Sequence, residues 1–228
     1  ALDEVGFALC KGNVMATNPV WRKSIGEWRE QFSTWVAKGT AQTMRLCDII
    51  FDFRSVWGPT DLAQALRRHI SATVAHNRSF LRELTAESES AGVALGFFDR
   101  FILVHDDEIH KGTINLKQSG SLPLIEAVRI VALREGIEAL STLGRIEALA
   151  DSGYLDRDEE DYLAGAYQHL SALILRHQVE AAREGREVSY FVAPDRLTRR
   201  EKDMLVDAFK AIRRFRDRVR AELTGDIF

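Results

Sequence analysis

Apolar side chains recur every three or four residues over much of this 228-residue chain, which is the spacing of one face of an α-helix. Two stretches show this spacing best. The first contains Trp21, Ile25, Trp28, Phe32 and Trp35, and the second contains Leu163, Tyr167, Leu170, Ile174 and Leu175. Because an apolar helix face must be buried against another element, the sequence predicts a fold made mainly of packed helices.

Cap and breaker residues divide this pattern into separate helices. Asn18-Pro19 predicts the N-cap and first position of a helix that ends near Gly39. Asp195 or Thr198 is the predicted cap of the last helix. The other predicted helices cover residues 61–91 (broken near His76-Asn77), 122–135, 141–151, 156–184 and 195–223.

A small β component is also predicted. Residues 97–104 and 109–116 flank the polar segment His105-Asp106-Asp107-Glu108, which is typical of a hairpin or strand pair. Residues 49–54 (Ile-Ile-Phe-Asp-Phe-Arg) predict a further strand, with Asp52 and Arg54 on one face. The predicted fold class is mainly α with a small β component.

Asp52 is an acid within this apolar segment, where a carboxylate costs desolvation energy unless a cation or a hydrogen bond compensates it. Two interpretations follow. Asp52 holds a metal ion or a substrate group at a sheet edge, or it forms an ion pair with Arg54 on a solvated strand face. From these six residues alone, the ion pair is the preferred interpretation.

The segment before this strand has a more specific pattern. Residues 10–22 follow the order Cys-x-Gly-x-x-Met-Ala-x-Asn-Pro-x-Trp-Arg and precede a helix that carries Trp28 and Trp35. Together with the Phe-Asp-Phe-Arg stretch at 51–54, this order resembles a bacterial family of nucleotidyltransferases. That family is distantly similar to the PII uridylyltransferases and the glutamine synthetase adenylyltransferases. The resemblance covers nearly the whole chain, and its helical half matches only in pattern.

The resemblance implies a division into two domains. Residues 1–75 would be the C-terminal part of an α/β nucleotidyltransferase domain. Residues 76–228 would be a helical substrate-binding domain, a bundle with a β-hairpin. In the family these domains usually follow cyclic-nucleotide-binding and CBS domains, which implies a role in signal transduction.

The resemblance also implies a reaction, the Mg²⁺-dependent transfer of a nucleotidyl group from a nucleoside triphosphate to a protein or a small-molecule acceptor. Asp52 matches the third metal-binding carboxylate of the family and would act as a Mg²⁺ ligand or general base. Arg54 would brace Asp52 or contact phosphate, since its planar guanidinium suits either task.

Four residues of the upstream segment are candidates for substrate binding: Lys11, Gly12, Asn13 and Arg22. Gly12 would allow close approach of the backbone to a ligand. For Lys11 and Arg22, a solvated surface cation is the preferred alternative. Asn18 is better interpreted as a helix cap.

One departure from the family pattern bears on activity. Family enzymes carry a Gly-Ser turn for the phosphates and an Asp-x-Asp pair for metal ions, and no suitable example precedes Asp52. Gly120-Ser121 predicts a turn into a helix, and Asp156-Arg157-Asp158 predicts a helix start. The chain is therefore expected to be the C-terminal part of a longer protein. We expect it to be inactive alone, with Mg²⁺ bound by the parent. The alternative is a non-catalytic module for regulation, partner docking or dimerisation.

Composition limits the partners and the compartment. The net charge of −3 gives no global electrostatic case for nucleic acid or an anionic membrane. Two cysteines and the absence of a long apolar run or a signal peptide favour a cytoplasmic protein. A homodimer is a further expected assembly. The basic stretch 213–220 is interpreted as a solvated helix face that neighbouring acids offset.

Histidines offer two weaker signals. The cluster from His105 to His110 could hold a metal, but Asp is favoured at turns, so a turn is the preferred interpretation. His169 and His177 lie on nearly one helical face and are too far apart to chelate one ion without other ligands.

Overall fold

A computed structural model describes residues 3–7, 9–89 and 92–225 of the chain. Over these ranges the protein is mainly α with one two-stranded antiparallel sheet, which confirms the predicted fold class. Eight residues that the sequence analysis included (Ala1, Leu2, Ala8, Ser90, Ala91, Asp226, Ile227 and Phe228) lie outside the described residues. The helices are α1 Ile25–Lys38, α2 Ala41–Phe51, α3 Thr60–Val74, α4 Arg78–Ser88, α5 Leu122–Arg134, α6 Thr142–Asp151, α7 Arg157–Arg183 and α8 Arg199–Thr224, and the strands are β1 Ile114–Asn115 and β2 Phe191–Val192.

The chain divides into two compact units, Ala1–Thr73 and Val74–Phe228. The break predicted near His76-Asn77 is confirmed, because α3 ends at Val74 and Asn77 caps α4 by accepting a hydrogen bond from the Phe80 N–H (3.0 Å). The assignment of residues 1–75 and 76–228 to particular domains stays a prediction. Over the described ranges, no helix is both long enough and apolar enough to cross a membrane.

Three tryptophans organise the first half of unit 1. The rings of Trp21, Trp28 and Trp35 lie 6.0 to 6.3 Å apart, although Trp21 is not on the same helix as the other two. The helical region is interrupted, however. Asn18 caps a 3-10 turn, Pro19–Trp21, and α1 begins only after Ser24, whose capping box with Glu27 restarts the helix. Gly39 ends α1 in the left-handed conformation, as its position predicts.

The strand predicted over residues 49–54 is wrong, because this region is the end of α2 and the turn after it. Thr40 and Thr43 form a capping box that starts the helix. Its buried side chains recur at helical spacing: Met44, Cys47, Ile50 and Phe51. The Phe51 ring packs edge-on against Phe32 at 6.1 Å, so tertiary packing supports the helix. Asp52 becomes the C-cap of α2, and the described part of unit 1 contains no strand.

In unit 2, the two longest helices, α7 and α8, pack against each other in opposite directions. Arg218 near the end of α8 contacts Glu159 at the start of α7 (2.6 Å), and Glu201 at the start of α8 pairs with Arg176 near the end of α7. Fully buried side chains fill the space within this unit, including Leu170, Leu205, Phe209 and Ile212. Helix α5 packs against α4, α6 and α8 and buries most of its residues, so it lies in the core.

The predicted pairing of 97–104 with 109–116 is wrong, because the strand within 109–116 pairs with a different segment. β1 pairs with β2, with Ile114 opposite Val192 and Asn115 opposite Phe191. Phe98 and Asp99 adopt positive φ within a 3-10 turn, which breaks the first predicted strand. A remnant of the predicted pairing survives at Val104, whose N–H donates to the Thr113 carbonyl (2.9 Å) and whose carbonyl accepts from the Gly112 N–H (2.9 Å).

Gly120-Ser121 has a structural role, in line with the predicted turn into a helix. Both residues are buried in a short π-helical turn that leads into α5. A Cβ added at Gly120 would lie 2.9 Å from a methyl carbon of Leu170 and 3.4 Å from the Phe209 ring. The glycine therefore allows the turn to approach α7 and α8 closely.

This approach predicts opposite effects for two glycines. Gly120→Ala should lower the free energy of unfolding by about 1–3 kcal/mol, because the added methyl overpacks the core. Gly165→Ala is the matched control: Gly165 is an exposed residue inside α7, and a Cβ added there would meet no neighbouring atom within 4 Å. It should stabilise the protein by about 0.5–1 kcal/mol through helix propensity. Urea unfolding of both variants measures the two changes, and equal stabilisation by both would contradict the close contact at Gly120.

Candidate functional site

The upstream candidates lie together on one exposed segment of unit 1. Lys11, Gly12 and Asn13 form a turn that the Asn13 N–H closes on the Cys10 carbonyl (2.9 Å). Asn18 ties this turn to the next one, because its side-chain amide donates to the Asn13 carbonyl (3.1 Å) while its oxygen accepts from the Val20 N–H (3.0 Å). The predicted cap role of Asn18 is confirmed.

Arg22 follows the 3-10 turn of the same segment and is exposed. Its backbone N–H donates to the Pro19 carbonyl (3.1 Å), which fixes the main chain and leaves the guanidinium at the surface. The segment 10–22 therefore presents Lys11 and Arg22 to solvent. Their predicted role in substrate binding stays a prediction.

Asp52 and Arg54 are exposed in the turn after α2. Between them, Phe53 is fixed by Arg67 of α3, which donates to its carbonyl and places its guanidinium 4.7 Å from the ring centre. The C-terminal end of a helix carries partial negative charge and favours cations. The partial negative charge at the end of α2 therefore suits the predicted contact of Asp52 with a cation. The catalytic role of Asp52 stays a prediction.

The described residues do not complete a magnesium site. Mg²⁺ is octahedral and is held by carboxylates, water and phosphates. In residues 3–7, 9–89 and 92–225, no three His, Cys, Asp or Glu side chains converge on one point. Asp52 would thus supply a single ligand, and the remaining ligands would have to come from elsewhere.

Unit 2 contains a concave surface, which we call the β-groove. It is lined by residues of 109–113 and 186–196 and by His177 of α7, and its volume is about 640 Å³. The pairing of β1 with β2 brings the first two segments together, since Asn115 lies opposite Phe191. The volume falls within the range of about 300–1,000 Å³ that is typical of small-molecule sites.

One wall of the β-groove is a stacked pair of rings. The His110 ring lies 3.6 Å from the Phe191 ring with 20° between their planes. His110 Nδ1 contacts the Asp107 carboxylate at 2.6 Å, and this hydrogen bond is the main cause that lowers the pKa of Asp107. Asp107 also accepts from the Ile109 N–H (3.0 Å), so it stabilises the turn, in agreement with the preferred interpretation of this segment.

A second group of β-groove residues is basic and consists of His177, Arg186 and Arg196. Burial lowers the pKa of His177, and the neighbouring Arg186 and Arg196 lower it further, while Glu180 opposes them. Arg186 is held by Glu184 at 2.6 Å. The Ser189 hydroxyl lies 3.5 Å from His177 Nε2. Arg186 and Arg196 therefore place positive charge near the His177 imidazole, and Glu180 and Glu184 offset part of it.

The sequence analysis did not identify this site. It considered His177 only together with His169, as two residues too far apart to chelate one ion without other ligands, and the His169 ring contacts the Glu201 backbone carbonyl (3.1 Å). The available signal was the loop after α7, where Arg186, Tyr190, Phe191 and Arg196 follow one another within eleven residues. Nothing in the local pattern linked that loop to His110.

The electrostatic environment of His177 predicts a titration. His177 should titrate below the ordinary histidine pKa of about 6.5. Arg186→Gln should raise its pKa, because removing a nearby positive charge favours the protonated ring. Arg157→Gln is the control, since Arg157 starts α7, about 30 Å along the helix axis from His177. NMR titration of the ring protons measures each value, and a pKa that falls in Arg186→Gln would contradict the assigned field.

Two protein-family models match the chain. The family described as "Putative nucleotidyltransferase substrate binding domain" matches residues 78–223, and the one described as "Putative nucleotidyltransferase" matches residues 1–42. Searches of curated proteins and of solved structures found no match. The β-groove lies within the first match, and the segment 10–22 lies within the second. Asp52 and Arg54 lie between the two matched stretches.

Proposed function

Because this chain belongs to the family of nucleotidyltransferase substrate-binding domains, we propose that residues 78–223 recognise a substrate of nucleotidyl transfer. The observation that carries the proposal is the β-groove, a concave surface with cationic and aromatic walls inside the matched range. Residues 1–42 belong, in this proposal, to the adjoining nucleotidyltransferase domain. The substrates are a nucleoside triphosphate and a protein or small-molecule acceptor, in a signal-transduction setting.

The chain is proposed to recognise a substrate without carrying out the transfer. Nucleotidyl transfer depends on metal ions and donors that neutralise charge on the reacting phosphate. Within the described residues, the groups around Asp52 do not make up such a site. Catalysis would require a Gly-Ser turn for the phosphates and an Asp-x-Asp pair for the Mg²⁺.

The first test of this proposal is activity. The purified chain, incubated with Mg²⁺ and labelled ATP, UTP, GTP or CTP, should release no pyrophosphate and transfer no label. The reason is the incomplete set of metal ligands. Turnover that depends on Mg²⁺ and copurifies with the chain would contradict it.

The second test concerns Asp52, which is proposed as one Mg²⁺ ligand with Arg54 beside it. In a transferase that joins this chain to a Gly-Ser turn and an Asp-x-Asp pair, Asp52→Asn should lower transfer by roughly 100-fold or more. Asp61→Asn is the matched control, because Asp61 is also an exposed acid of unit 1, in the first turn of α3.

Melting temperature separates the two explanations for Asp52. A catalytic acid predicts lost transfer with an unchanged melting temperature. Retained transfer with a lower melting temperature would instead show that Asp52 is a structural partner.

A second candidate function is a regulatory or dimerisation module of a protein with CBS and cyclic-nucleotide-binding domains. The favouring observation is the turn 97–99, where Phe97 is 89% exposed and Phe98 is 94% exposed. Light scattering after size exclusion distinguishes the cases. A mass of 25.8 kDa favours the recognition module, and a dimer that Phe98→Ser dissociates favours the second candidate.

A reducing, cytoplasmic location is part of the proposal, as is the absence of nucleic-acid and membrane partners. One finding supports the location: Cys10 and Cys47 are both free thiols. Burial raises the pKa of the Cys47 thiol to about 12, so this cysteine is protonated and unreactive at neutral pH.

A further inference from the structure

The β-groove combines a cationic end with a flat aromatic surface, and this combination limits the ligands that fit it. Arg186, Arg196, His110 and His177 line the groove, and Glu187 is the one acid among its lining residues. Outside the lining, Glu184 pairs with Arg186 and Asp107 contacts His110. Over the described part of the chain, Arg196 forms no ion pair, so its guanidinium is available to a ligand. Arginine is suited to phosphate because its planar donors can bind two oxygens at once.

Arg186, Arg196 and His177 all line the same groove. Arg186 and Arg196 both lower the pKa of His177, which places two positive charges within electrostatic reach of the same imidazole. The Ser189 hydroxyl is 3.5 Å from that ring and adds a neutral hydrogen-bonding group. An anion bound there would contact donors from both α7 and the loop that follows it.

The aromatic wall is held in place before any ligand arrives. The Asp107 carboxylate contacts Nδ1 of His110, and the His110 ring stacks on the Phe191 ring with 3.6 Å between the ring centres. Tyr190, which also lines the groove, lies under the Lys117 ammonium at 4.7 Å. Fixed rings lose little entropy when a planar group stacks on them, so this wall favours a ligand with a flat ring.

We propose that the β-groove binds a small phosphate ester that carries a planar ring, with its phosphate at Arg186, Arg196 and His177 and its ring against the His110–Phe191 stack. The groove volume of about 640 Å³ accommodates a molecule of this size. The ligand's role as a substrate rests on the proposed function. The binding itself can be measured without any transfer reaction.

Calorimetry with four probes tests the two halves of the site on the full chain. Adenosine 5′-monophosphate should bind more tightly than ribose 5-phosphate, which lacks the ring, and than adenosine, which lacks the phosphate. Inorganic phosphate should bind most weakly of the phosphate-bearing probes and compete with the monophosphate. Equal affinity for ribose 5-phosphate and adenosine 5′-monophosphate would overturn the role of the aromatic wall.

Substitutions locate the phosphate. Arg196→Gln should weaken adenosine 5′-monophosphate binding by about tenfold or more, as expected for a lost charge-assisted hydrogen bond. Arg157→Gln is the matched control, because it removes the same charge at the far end of α7 and should leave affinity unchanged. Because Arg196 is exposed, its substitution should not unfold the protein, and circular dichroism checks this.

A second pair of variants locates the ring. His110→Ala should reduce the preference for adenosine 5′-monophosphate over ribose 5-phosphate by about threefold to tenfold, while His110→Phe keeps a flat ring and should preserve it. Equal binding by all variants would place the ligand elsewhere and overturn the proposal for the groove. No binding of any phosphate-bearing probe at millimolar concentration would overturn it as well. Neither result would affect the activity test, so the two proposals fail separately.

Discussion

Unit 2 depends on the antiparallel contact between α7 and α8. Buried side chains from these helices meet α5 and the π-helical turn at Gly120, so the contact sets the position of every neighbouring element. Burying apolar surface supplies most of the stabilisation, and the ion pairs at the two ends fix the direction of the helices more than they add stability. At one end of this contact, Arg218 of α8 forms an ion pair with Glu159 of α7. Its guanidinium also lies 4.9 Å from the Tyr154 ring and 5.4 Å from the Phe215 ring. The β-groove includes His177, in the C-terminal part of α7, so its geometry depends on the contact between α7 and α8.

The helices of unit 2 could be predicted because their signals are local. Apolar residues at helical spacing and caps such as Asp156 and Thr198 mark each boundary, and both capping boxes are present in the structure. Residues 49–54 show where this reasoning fails. From Phe51 to Arg54 apolar and polar residues alternate as in a strand, yet Met44, Cys47 and Phe51 also recur at helical spacing. A short apolar run cannot decide between the two periods, and the Thr40–Thr43 capping box together with the contact to Phe32 favours the helix.

The sheet could not be predicted because its partners are far apart in sequence. Ile114 pairs with Val192 across a separation that contains three helices, and no local pattern specifies such a partner. The nearer candidate, 97–104, does not form a strand because Phe98 and Asp99 adopt positive φ. Positive φ is uncommon for residues other than glycine, so the sequence does not predict it at these two positions. Since the β-groove forms from this long-range pairing, it was invisible for the same reason. Its segments were predicted separately, with 109–116 as a strand and the region of His177 as part of the helix 156–184.

The two sets of candidate residues are held in different ways, and this difference bears on their tasks. Lys11 and Arg22 project from short turns whose hydrogen bonds fix the backbone, so their long side chains keep most of their freedom. The groove residues are constrained through their side chains, with His110 held between Asp107 and Phe191, and Arg186 held by Glu184. Recognition of one substrate among many requires fixed partners, whereas a flexible surface cation mainly attracts anions. In the proposed function, selectivity therefore resides in the β-groove, and the segment 10–22 contributes a general attraction of phosphate.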